Sequence, residues 1–122
     1  MRLTGSVPVL GCNNLEACLA FYRSALQFVI INQRKSEHGV EWAYLASGGS
    51  TLMLEKIDTT LDAAASNGQR LYFYCDDVKS LQHFLRAGGY AVSDLRTTPY
   101  GTREFDINDP DGHRLSVGEN KK

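Results

Sequence analysis

Residues 13–23 read NNLEACLAFYR and residues 76–86 read DDVKSLQHFLR; the two stretches align without a gap at an offset of 63. Asn13-Asn14 stands against Asp76-Asp77, Leu15 against Val78, Phe21 against Phe84 and Arg23 against Arg86. Asn or Asp just ahead of a periodic apolar run marks a helix start, because the side-chain oxygen accepts from the free N–H groups of the first turn. Apolar residues then recur at helical spacing. Leu15, Cys18, Leu19, Tyr22 and Leu26 form one stripe; Val78, Leu81 and Leu85, with Phe84 at the margin, form the other. Ala87-Gly88-Gly89 closes the second helix in turn residues.

The correspondence extends on both sides. VPVLGC (7–12) and RLYFYC (70–75) precede the helices and read as strands. QFVIINQR (27–34) and YAVSDLR (90–96) follow them, then GVEWAYLAS (39–47) and GTREFDIND (101–109), then TLMLEK (51–56) and HRLSVGE (113–119). The turns before the last strands, Ser47-Gly48-Gly49-Ser50 and Asp109-Pro110-Asp111-Gly112, are strong turn signals. Each half therefore reads β-α-β-β-β. The expectation is an α+β fold of two tandem βαβββ modules forming a curled mixed sheet around a cleft, with helices on the outer face. Module one spans about 5–57, a linker 58–69 and module two about 70–119, within a single 122-residue domain.

The composition is that of an ordinary globular chain, 43% apolar and 22% charged, and the net charge of −1 offers no basic surface for nucleic acid or a membrane. The opening MRLTGSVPVLG lacks the apolar run of a signal peptide, and no stretch approaches a membrane span. Three cysteines without CxxC spacing (Cys12, Cys18 and Cys75) read as reduced thiols, and a cytoplasmic location is expected.

The strand leading into NNLEACLAFY, the LYFYCDDV strand and cap, and above all the closing YGTREFDINDPDGHRLSV resemble the glyoxalase/bleomycin-resistance (vicinal oxygen chelate) superfamily over about residues 6–118. VPVL and PYGTREF are closest to its bleomycin-resistance branch. The resemblance implies a homodimer, in which N-terminal arms can cross near Pro8. It also implies, for the catalytic members, one divalent metal held by four inward-facing strand positions. The repeat carries those positions onto Val7, Met53, Arg70 and Ser116. Valine has no lone pair, arginine stays protonated, methionine is too soft for oxygen-preferring metals and serine alone is a poor ligand. His38, His83 and His113 show no metal-binding spacing. The expectation is no metal, no cofactor and no catalytic residue.

Strand alternation sorts the remaining candidates by face. Trp42, Tyr44, Arg70, Tyr72, Tyr74, Glu104 and Asp106 fall on the cleft side, and Tyr100 lies in the loop where bleomycin-binding relatives often carry an aromatic. Aromatic faces and carboxylates suit a flat, partly cationic ligand. The same aromatics could instead fill a dimer interface or the core, and Arg70 could pair with Glu104 or Asp106. The expected function is a binding protein that sequesters a bleomycin-type or similar aromatic/cationic antibiotic. The alternatives are a superfamily enzyme, lyase-like or dioxygenase-like, with non-standard ligands or a metal-free acid–base mechanism, and a ligand sensor.

Overall fold

A computed structural model describes residues 1–58 and 68–120. The chain divides into two compact units, Met1–Leu61 and Asp62–Lys122, called module one and module two below. Residues 59–67 of the expected linker lie outside the described residues. Module one contains β1 (Val9–Cys12), α1 (Leu15–Ser24), β2 (Val29–Ser36), β3 (Gly39–Ser47) and β4 (Ser50–Lys56). Module two contains β5 (Leu71–Cys75), α2 (Val78–Ala87), β6 (Arg96–Thr97), β7 (Arg103–Asn108) and β8 (Arg114–Glu119). Each is a βαβββ unit with its own four-stranded mixed sheet, ordered β1-β4-β3-β2 and β5-β8-β7-β6.

The repeat holds down to register. β1 runs parallel to β4 with Val9 opposite Met53, and β5 runs parallel to β8 with Tyr72 opposite Ser116. Both pairs sit at the 63-residue offset. The helices begin on equivalent caps: the Asn14 carboxamide oxygen accepts from the Ala17 N–H at 3.1 Å, and Asp77 accepts from the Ser80 N–H at 3.0 Å. Each cap satisfies a donor that the first helical turn leaves open.

The buried faces are those the helices cover. α1 packs on β3 and β4, and α2 on β7 and β8. Ala43, Leu45, Leu52 and Leu54 in module one are fully buried, as is Phe105 in module two; Ile107, Leu115 and Val117 are nearly so. Burying a residue of this size contributes roughly 1.5–3 kcal/mol. Tyr22, also fully buried, packs edge-on against Phe21 at 5.1 Å and Phe28 at 5.9 Å.

Three expectations need correction. Leu26 is not part of the α1 stripe, because the helix ends at Ser24 and Leu26 follows the cap. In α2 the face turned inward is Val78, Gln82 and Leu85, while Phe84 is half exposed. Six residues past Val78, Phe84 is about 240° around the helix, away from the stripe. Gln82 joins the core because its Nε2 donates to the Ser93 carbonyl at 2.9 Å. Finally, YAVSDLR is not a continuous strand: only Arg96–Thr97 pairs, with an isolated bridge from Val92 to Ile107. The Ser93 hydroxyl accepts from the Asp106 N–H at 2.9 Å while Gln82 takes the Ser93 carbonyl. Side chains thus occupy backbone groups that a regular ladder would use.

α1 leaves through a left-handed residue. Gln27 has φ 59°, and the Phe28 N–H donates back to the Tyr22 carbonyl at 2.9 Å. Module two makes its exit with a glycine, Gly89, at φ 87°. A side chain in this region costs roughly 1–2 kcal/mol relative to right-handed backbone. Gln27→Gly is expected to raise stability in urea denaturation by about 0.5–1 kcal/mol, the penalty being partly offset by the freer unfolded chain.

Candidate functional site

The face of module two opposite α2 carries Tyr72 and Tyr74 from β5, Glu104 and Asp106 from β7, and Ser116 and Gly118 from β8. The register sets Asp106 opposite Ser116 and Glu104 opposite Gly118. Above this face opens a pocket of about 610 Å³. Arg70, Tyr72, Tyr74 and Glu104 line one side of it, and the β6–β7 hairpin forms the other.

The hairpin is built by its turn. The Gly101 N–H donates to the Thr98 carbonyl at 3.0 Å, and Pro99 presets the backbone of the turn's second residue. Gly101 takes φ 85°, a conformation open to glycine. The Thr98 and Thr102 hydroxyls bond each other at 2.8 Å across the base. Tyr100 is thereby held at the tip, largely exposed and lining the pocket.

Counting back from this turn pairs Arg96 on β6 with Glu104 on β7. Cross-strand neighbours share a face, and Arg96 organises the charges there. Its Nη1 donates to Asp106 Oδ2 at 2.7 Å and its Nη2 to Asp106 Oδ1 at 2.9 Å, while Nη2 also donates to Glu104. Ser116 Oγ donates to Asp106 at 2.6 Å, and Tyr72 Oη donates to Glu104 at 2.7 Å. The Arg96 guanidinium holds the Asp106 carboxyl down at about 2. Burial pushes Glu104 upward, but the bonds from Tyr72 and Arg96 outweigh it and keep Glu104 below its ordinary value. Burial, and then the bond to Glu104, pushes the Tyr72 phenol up to about 12. Hydrogen bonding to Asp106 raises Arg96 above its already high value.

The sequence reading allowed Arg70 as the partner of Glu104 or Asp106. The structure assigns that role to Arg96, which the reading missed. Arg70 lies instead over the Tyr72 ring, 5.7 Å from its centroid. The hairpin count carries the signal for Arg96, whereas YAVSDLR by itself reads only as strand. Five expected residues (Arg70, Tyr72, Tyr74, Tyr100 and Glu104) line one pocket, and Asp106 is bonded just behind it. Trp42 and Tyr44 belong to module one. They alternate with buried Ala43 and Leu45, and Tyr44 lies opposite Met53, so they share the face that carries Met53 and Val9. Two further residues hold shape: Arg103 bonds Glu119 through Nε at 3.1 Å, and Asp109 accepts from the N–H groups of Asp111 and His113 at 3.0 and 2.9 Å.

The residues at the family metal positions do not fit a metal. Ser116 donates its proton to Asp106, Arg70 brings a second guanidinium to the same face, and Met53 sits opposite Val9. Both carboxylates that could have served as ligands are already bonded to a fixed cation.

A model of the Glyoxalase/Bleomycin resistance protein/Dioxygenase superfamily matches residues 6–117. The chain belongs to this superfamily. Superfamily members with similar folds include both binders and enzymes. The bleomycin resistance determinant encoded on transposon Tn5 has a TM-score of 0.80 at 21% identity, with 98% of this chain and all of that one covered. A bleomycin-binding protein complexed with bleomycin gives 0.77 at 21% identity, with 98% and 100% coverage. Lactoylglutathione lyase from Agrobacterium tumefaciens gives 0.75 at 22% identity, with 98% and 96% coverage. A search of the curated proteins finds no significant match. No helix among the described residues is long and apolar enough to cross a membrane.

Gly118 makes the Tyr72 position possible. A Cβ at residue 118 would lie 2.1 Å from Tyr72 Oη. Gly118→Ala is expected to push the phenol off Glu104 and to cost about 1–3 kcal/mol in denaturant unfolding. Spectrophotometric titration should show one tyrosine ionising near 12, absent in Tyr72→Phe and shifted toward 10 in Gly118→Ala. Because folding disfavours the tyrosinate, the stability linked to Tyr72 is full below pH 10 and is lost as the pH rises through about 12.

Proposed function

We propose that this protein is a non-catalytic binding protein that sequesters a flat aromatic small molecule, with a bleomycin-type antibiotic as the first candidate. The observation that carries the reading is the module-two pocket. Three tyrosines line it, and its acidic groups are bonded internally rather than left poised for proton transfer. A general base needs a carboxylate free to take a proton near neutral pH. Glu104 and Asp106 are both held below their ordinary values by bonds to Arg96, among other donors. This counts against the metal-free acid–base alternative, and the donor set described above counts against a metal-dependent one.

Trp42 and Tyr44 stay candidates for ligand contact in module one, on the same reasoning from strand faces. The proposal includes a cytoplasmic homodimer; the three free cysteines are compatible with a reducing compartment. Likeness to the bleomycin-binding protein lends the choice of ligand its weight, while likeness to the lyase gives none to turnover without a matching site.

Calorimetric titration with metal-free and copper-bound bleomycin is expected to give saturable heat at a fixed stoichiometry, with the drug recovered unchanged. Absence of heat with both forms would remove bleomycin as the ligand. Loss of drug to substoichiometric protein would replace the binding reading with the enzymatic one.

A further inference from the structure

The acidic groups of the module-two pocket have partners from within. Glu104 accepts from Tyr72 and Arg96, and Asp106 from Arg96 and Ser116. Glu119, at the pocket edge, accepts from the Arg103 N–H at 2.8 Å and from its Nε at 3.1 Å. Each of these three carboxylates already faces a guanidinium, so each attracts a further cation less than a lone carboxylate would. Most donors of Arg96 are likewise engaged, with both nitrogens of its fork turned to Asp106.

Arg70 differs from the other charges. It lines the pocket, is exposed, and makes no ion pair or hydrogen bond among the described residues. Its guanidinium lies over the Tyr72 ring, which in turn sits 5.1 Å from the Tyr74 ring. This contact leaves the five N–H donors of the guanidinium, arranged in a fixed fork, available to a ligand. Arg70 is therefore the pocket's charged group without a hydrogen-bonded partner among the described residues, and it stands beside aromatic faces.

We infer that the pocket takes a planar aromatic ligand bearing an anionic oxygen group, a carboxylate or phenolate, with the ring on the tyrosines and the oxyanion on Arg70. This rests on the aromatic-pocket reading above but not on bleomycin as the ligand, and it reverses the charge that the sequence alone suggested. The sequence showed Glu104 and Asp106 but not the cation that occupies them.

Three probes of one shape test it: naphthoate, naphthylmethylamine and naphthylmethanol, titrated at neutral pH and low salt while tyrosine fluorescence is followed. Naphthoate is expected to bind at least about tenfold tighter than either of the others, as a charge-assisted bond to a guanidinium allows. Arg70→Gln should abolish that preference, and circular dichroism should show the fold retained. Added salt should narrow it in the wild type. Naphthoate binding no tighter than naphthylmethanol, or weaker than the amine, overturns the inference while leaving the aromatic pocket in place. Failure of all three probes to bind the wild-type protein overturns both.

Discussion

Each module depends on one parallel pairing, that of its first strand with its last. Parallel neighbours cannot be joined by a tight turn, so a helix and two further strands lie between them in sequence. The helix covers one face of the resulting sheet. With a period of two along each strand, the parity of that pairing decides every side chain's face. A slip of one residue in β8 would turn Leu115 and Val117 out of the core and Ser116 into it. The same parity sets Tyr72 beside Ser116 and, one strand further, Asp106 beside Ser116. The pocket's composition is thus a by-product of how the core is kept apolar.

On that frame, β6 adds little sheet and much chemistry. Two residues long, it contributes two cross-strand pairs, in one of which Arg96 meets Glu104 and reaches on to Asp106. Two carboxylates on adjacent same-face positions of β7 would repel each other and resist burial if left alone. The guanidinium answers both, and Tyr72 and Ser116 supply the remaining donors. Among the described residues no buried side-chain nitrogen or oxygen lacks a partner. The site is a closed polar network with an aromatic rim.

Local periodicity and turn chemistry carried most of the fold. The caps at Asn14 and Asp77, the two helices they open, the Gly39–Ser47 strand and the buried parity of Phe105 and Ile107 all follow from patterns within a few residues. What escaped depended on longer reach. Gln82 reads as a surface residue until its bond to the Ser93 carbonyl is seen, and the same bond breaks the strand that YAVSDLR suggests. Arg96 escaped because its role follows from the register of the hairpin rather than from its neighbours in sequence. Once Arg96 is placed, the acidic residues that suggested a cationic ligand no longer do so.

Arg96 has a consequence of another kind. A divalent ion held by protein ligands exchanges with its surroundings; it can be stripped by chelators or replaced by a competing ion. A guanidinium tethered to β6 does none of these, and it keeps its charge across the whole range in which proteins stay folded. The module-two site therefore has a fixed electrostatic state that depends neither on metal supply nor on moderate acidity, and only a change in the sequence can remove it.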